Sequence, residues 1–143
     1  MSTTDEQLGF IISETSRVWR TKLDERLRPL GLSQSRWMVL LLLFKRGDGI
    51  VQKELAEWLS IECPTLVRLL DRMTEDGWIE RRDSASDRRA KTIHLTKQSS
   101  AVIKKITKIA AQLRGELLAD IRPADIETTM RVLQQIKQNV GHV

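Results

Sequence analysis

The chain has 143 residues, 41% of them hydrophobic, which is enough for one compact domain with its own core and too little for a multi-domain enzyme. Lysine and arginine number 24 against 19 acidic residues, and the net charge of +5 permits a polyanionic partner without requiring one. A single cysteine, Cys63, excludes an internal disulfide; two histidines far apart in sequence, His94 and His142, give no clustered zinc site, and no cofactor is expected.

The polar, acidic stretch from Met1 to Gln7 does not read as a signal peptide. From Leu8, apolar residues recur at Ile12, Trp19, Leu23, Leu27 and Leu30, with Arg17, Arg20, Lys22, Asp24 and Arg28 between them, which predicts an amphipathic helix ended by Pro29 and Gly31. Ser33 is placed to cap a second helix running through Trp37-Met-Val-Leu-Leu-Leu-Leu-Phe44. Apolar on every side, this segment is expected in the middle of the core. At eight residues it is also the longest apolar run, far short of a bilayer span, so the expected location is the cytoplasm.

Gln52 to Leu59 predicts a short helix, Ser60-Ile-Glu62 a tight connection, and Cys63 to Asp76 a further helix. Pro64 is tolerated there because the N–H groups of a first turn lack intrahelical partners. Leu66, Leu69 or Leu70, and Met73 form its apolar face, and Gly77 follows its end. The period then changes. Trp78 to Arg82 and Lys91 to Leu95 alternate, joined by polar Asp83 to Ala90, which predicts a two-stranded hairpin. Thr96 is expected to cap a long helix carrying Val102, Ile106, Ile109, Leu113 and Leu117. Asp120 to Pro123 breaks it, and a last helix carries Ile126, Met130, Leu133, Ile136 and Val140. The expected class is mainly α with a small β-hairpin.

Two helices joined by three residues have the dimensions of a helix-turn-helix, and equally of an ordinary helical hairpin. The outer face of the second helix favours the first reading: Thr65, Arg68 and Arg72 lie three and four apart, behind Cys63 and Pro64 at the leading end. A recognition helix enters the major groove by its N-terminal half, and an arginine fork matches guanine O6 and N7. At the hairpin tip, Arg88 and Arg89 gain nothing from packing and suit a narrow minor groove, with Asp87 expected to brace an arginine by a charge-assisted bond.

The segments Leu55-Ala56, Pro64-Thr-Leu-Val-Arg68-x-Leu-Asp71, Gly77-Trp-Ile-Glu-Arg81 and Ser86-Asp87-Arg88-Arg89-Ala-Lys91, with Leu95-Thr96, resemble the MarR family of bacterial regulators. Val18-Trp19-Arg20, Arg26-Leu27, Pro29-Leu30, Leu32-Ser33-Gln34 and Trp37 extend the likeness over nearly the whole chain and bring it nearest the SlyA branch. The resemblance implies a winged helix-turn-helix lobe over 33–95, dimerisation helices over 1–32 and 96–143, and a homodimer on double-stranded DNA. It also implies Pro64, Thr65 and Arg68 facing the major groove, and Arg88 and Arg89 the minor groove. Two residues depart from the pattern: Ser60 stands where many members have glycine, and Cys63 where the branch commonly has glutamine.

The terminal helices carry more apolar length than one small winged domain buries, which fits a dimer reading a palindrome about 34 Å between half-sites; a monomeric bundle is the alternative. Members of the resembled family often respond to small aromatic acids, and Arg17 with Trp37 supplies a cation beside an aromatic surface, although Trp37 also suits a core role. Cys63 reads either as a redox-sensitive thiol at a helix start or as a small, half-buried side chain. Catalysis has no motif to rest on. A protein–protein adaptor and a nucleoid-associated architectural protein remain as alternatives to a sequence-specific regulator.

Overall fold

A computed structural model of the chain describes residues 3–47, 49–87 and 89–141. Helix α1 (Thr4–Leu27) starts earlier than its apolar spacing indicates, because Thr3 and Glu6 form a capping box. The Glu6 N–H donates to the Thr3 hydroxyl at 3.3 Å and the Thr3 N–H to the Glu6 carboxylate at 3.0 Å. A 3-10 turn at Arg28–Leu30 follows, and Gly31 at φ 75° reverses the chain where a Cβ would be strained. Ser33 caps α2 (Gln34–Arg46), its hydroxyl accepting from the Arg36 N–H at 3.4 Å.

Helix α2 is not enclosed on every side. Trp37, Val39, Leu40 and Leu43 are buried, Met38, Leu41 and Leu42 half-buried, and Phe44 is 51% exposed. Its neighbours α3 (Gln52–Leu59), α4 (Cys63–Glu75) and the strand β3 (Lys91–Leu95) leave one face uncovered in the single chain.

The expected hairpin is a three-stranded antiparallel sheet in the order β1-β3-β2. Strand β2 (Ile79–Asp83) pairs β3 from Ile79 with Leu95 to Asp83 with Lys91, and the two-residue β1 (Ile50–Val51) pairs β3 at Ile93 and Thr92. A lone hairpin is marginal in water, and the third strand lets β3 hydrogen-bond on both edges. Leu40, Leu55, Leu66, Leu70, Met73 and Ile93 are fully enclosed beneath this sheet and the helix pair.

Gly77, at φ 82°, closes α4, with the Trp78 N–H donating to the Met73 carbonyl at 3.1 Å. The expected cap by Thr96 is not made. Its hydroxyl donates instead to the Gly77 carbonyl at 2.5 Å, so a 3-10 turn at Lys97–Ser99 precedes α5 (Ser100–Leu117). Thr96 therefore ties the start of the α5 segment to the end of α4.

By internal contacts the chain divides into residues 1–111 and 112–143. In the second unit Asp120 adopts φ 64° between the helices, and α6 (Pro123–Val140) opens on an Arg122–Asp125 ion pair at 3.0 Å. No α6 residue is buried, and Met130, Val132 and Val140 are each at least 45% exposed. Among the described residues, no helix is long and apolar enough to cross a membrane and no group of side chains is placed to hold a metal ion.

Candidate nucleic-acid interface

The connection between α3 and α4 is built on Ser60, in the left-handed region at φ 54° and ψ 42°. The strain costs about 1 kcal/mol for a residue with a Cβ. It is held by Ser60 N–H donating to the Glu57 carbonyl at 3.2 Å and Ile61 N–H to the Ala56 carbonyl at 3.1 Å. The seam is apolar: Leu55, Ala56, Leu66 and Leu70 are buried, while Leu59 and Ile61 are half-buried at its edge.

Helix α4 is sharply two-sided. Leu66, Leu69, Leu70 and Met73 face inward, and Cys63, Pro64, Thr65, Arg68 and Arg72 are all exposed. Cys63 is thus not half-buried. Among the described residues, neither Arg68 nor Arg72 has a hydrogen bond or ion pair for its guanidinium. Unpaired forks and a leading turn of free N–H groups suit an anionic partner. A hollow of about 410 Å³ beside this helix is lined by Ser33, Ser35, Thr65 and Arg72, adding hydroxyl donors near the same face. Arg36, also on its rim, is already paired to Asp76 at 3.1 Å.

The wing loop is ordered by its own polar groups. Ser84 N–H donates to the Ala90 carbonyl at 3.0 Å, and Ala90 N–H to the Asp87 carbonyl at 3.1 Å. The Asp87 carboxylate accepts the backbone N–H of Arg89 at 2.9 Å, so it braces that arginine through the main chain rather than through its guanidinium. Arg89 is exposed; Arg88 lies outside the described residues. Arg82 pairs with Glu80 and Lys91 with Asp83, neutralising the wing's stem and leaving Arg89 as the unpaired cation among its described residues.

Arg81 makes a contact between the wing and α4 that periodicity does not reveal. It projects from β2 onto α4, where Nη1 donates to Asp71 at 2.6 Å and Nη2 to the Val67 carbonyl at 3.0 Å. Its Nε is buried without a partner. Both residues stand within the family-like segments, but only the fold shows that they meet.

Arg17 and Trp37 are not brought together as a site. The Trp37 ring is 3% exposed, and its Nε1–H donates to Asp24 at 2.9 Å. A hollow of about 330 Å³ beside it is lined by Trp19, Arg20 and Leu23 but not Arg17, because a three-residue step along a helix turns the side chain by about 60°.

Comparison with known proteins adds a family. Residues 32–91 match the MarR family. The solved transcriptional regulator PA3341 is 42% identical, with 95% of this chain and 99% of that one covered and a TM-score of 0.87. Wild-type MarR from E. coli is 27% identical, covering 90% and 95%, with a TM-score of 0.72. A MarR family transcriptional regulator from Listeria monocytogenes complexed with 26mer DNA shares the fold at 18% identity, covering 98% and 90%, with a TM-score of 0.77.

Proposed function

Because this chain belongs to the MarR family, we propose that it is a sequence-specific DNA-binding transcription regulator that acts as a homodimer on palindromic sites. Helix α4 enters the major groove by its leading turn, with Arg68 on a guanine edge and Arg72 and Thr65 on base edges or phosphates. Arg88 and Arg89 enter the minor groove. The observation that carries the reading is the exposed side of α4, where two arginines stand without side-chain partners among the described residues.

Dimerisation is supported by apolar surface in both units. On α1, Leu8, Ile11, Ile12 and Val18 are open, and on α6 Met130, Val132, Ile136 and Val140. Such stripes are costly to leave in water and suit a second copy. Sedimentation at micromolar concentration tests this, a monomer being the contrary result. Val18-Trp19-Arg20, Arg26-Leu27, Pro29-Leu30, Leu32-Ser33-Gln34 and Trp37 support placement near the SlyA branch. A small aromatic carboxylate is the effector that the hollow beside Trp37 favours, with Arg20 rather than Arg17 as the cation. Salicylate-like compounds that leave DNA binding unchanged at millimolar concentration remove this element.

The test of the whole is selection of bound duplexes from random DNA. A regulator enriches an inverted repeat with half-sites one helical turn apart, about a thousandfold preferred over random sequence. An architectural protein enriches none, and an adaptor binds no duplex.

A further inference from the structure

Charge is unevenly distributed along this chain. Positions 88 to 115 carry eight lysines and arginines and no acidic residue, although the chain holds 19 acids elsewhere. Within this run, Lys97 sits in the 3-10 turn and Lys104, Lys105 and Lys108 on α5. The opposite side of α5 buries Ile103 and Ile106, and at about 100° per residue the three lysines share one arc roughly 100° wide. All three are exposed, and among the described residues none has a hydrogen bond or ion pair for its ammonium group. Exposed Ala101 lies within the arc and exposed Ala111 at its edge, which leaves room for a broad surface to approach.

This stripe stands on α5 and not on the reading helix α4. Thr96, at its foot, is bonded to Gly77 just past the end of α4. The 13 residues of α4 span about 20 Å, more than two Debye lengths of about 8 Å each, so the Thr96–Gly77 bond joins the α5 segment to the end of α4 remote from Cys63. Its charge needs its own counterpart. Protein interfaces are depleted in lysine and built around apolar or aromatic anchors, which this arc lacks. Compact ammonium groups without intervening carboxylates suit a repeating, sequence-independent array of phosphates.

We propose that the Lys104, Lys105 and Lys108 face of α5 is a second phosphate-binding surface, which takes the backbone of duplex DNA flanking the site read by α4. The inference rests on the DNA-binding reading above. Flanking duplex must bend toward the protein to reach it, and release of counterions from the engaged phosphates offsets the bending.

The experiment uses two duplexes with the same selected site, one of about 20 bp covering two half-sites and one of about 60 bp with flanks. Affinities of the full chain and of the triple variant Lys104→Gln, Lys105→Gln, Lys108→Gln are measured over a salt series, with circular dichroism as the check on folding. Wild-type protein is expected to bind the long duplex more tightly, with a log–log salt slope steeper by about 0.9 for each phosphate engaged, hence about 3 for one stripe. The triple variant should match wild type on the short duplex and lose the excess on the long one, and the Lys→Arg triple should retain it. Equal slopes on both duplexes for wild type overturn the proposal and leave the stripe to an acidic protein or to water. An equal loss on both duplexes overturns it as well. Failure of wild type to bind either duplex rejects the DNA-binding reading itself, and this surface with it.

Discussion

Arg81 on β2 holds Asp71 on α4 at 2.6 Å and, with its other terminal nitrogen, the Val67 carbonyl at 3.0 Å, so the wing and α4 are fastened to each other by one side chain. Asp71 is half exposed, and solvent screens the pair. Arg81→Met is therefore expected to cost only about 1–2 kcal/mol by urea unfolding. Its larger effect should fall on DNA discrimination. The preference for a selected site over random duplex should drop while the salt slope stays unchanged, because Arg81 itself meets no phosphate. Lost stability with undiminished preference would confine Arg81 to folding.

Ser60→Gly should stabilise the protein. The residue sits at φ 54° with its side chain exposed, so glycine removes the left-handed strain and loses no packing. The gain, up to about 0.5 kcal/mol after the greater chain entropy of glycine, should appear as a slightly higher urea midpoint with unchanged DNA affinity. A lower midpoint would show that the Ser60 side chain contributes to the turn.

Gly77→Ala should destabilise by about 1–3 kcal/mol, since φ is 82° and an added Cβ would meet the Gln98 side chain. The double variant with Gln98→Ala relieves the clash and not the backbone strain, so thermal unfolding should recover in part. Full recovery would show that the backbone adapts and that only the contact matters.

Trp37→Phe keeps most of the buried ring and deletes the donor to Asp24, leaving that carboxylate with Arg28 at 3.9 Å. A loss of about 1–2 kcal/mol is expected, measured by denaturant unfolding. An unchanged midpoint would mean that water replaces the indole N–H.

Much of this fold is legible in the residues because helix spacing and capping agree. Ser33, Gly31, Pro64 and Gly77 act where their chemistry indicates, and the exposed and buried sides of α4 follow from spacing alone. What escapes is set by tertiary contact. Strand β1 is two residues long, too short to alternate, and exists only because β3 offers a free edge. The enclosure of α2 depends on how many neighbours reach it, which periodicity cannot state, and Phe44 lies on the side that none covers. The Thr96 hydroxyl could accept from the N–H groups of a helix start or donate to the Gly77 carbonyl, and the fold brings the carbonyl to it. The capping box at Thr3 and Glu6 is a Thr-x-x-Glu pattern that precedes the first apolar position of the helix, Leu8, so apolar spacing alone does not mark it. Arg17 and Arg20 are equivalent by composition; only the turn of α1 decides which lines the hollow beside Trp37.

The most direct test is the salt dependence of duplex binding, measured by fluorescence anisotropy, for wild type, Arg68→Ala and Arg89→Ala on one selected site and one random sequence. Arg68→Ala is expected to lose about 1–3 kcal/mol on the selected site and little on the random one, as a base-reading contact requires. Arg89→Ala should weaken binding on the selected site and reduce its slope by about 0.9, as a contact deep in the phosphate-lined groove requires. Binding that neither substitution alters, or that is absent at low salt, contradicts the account.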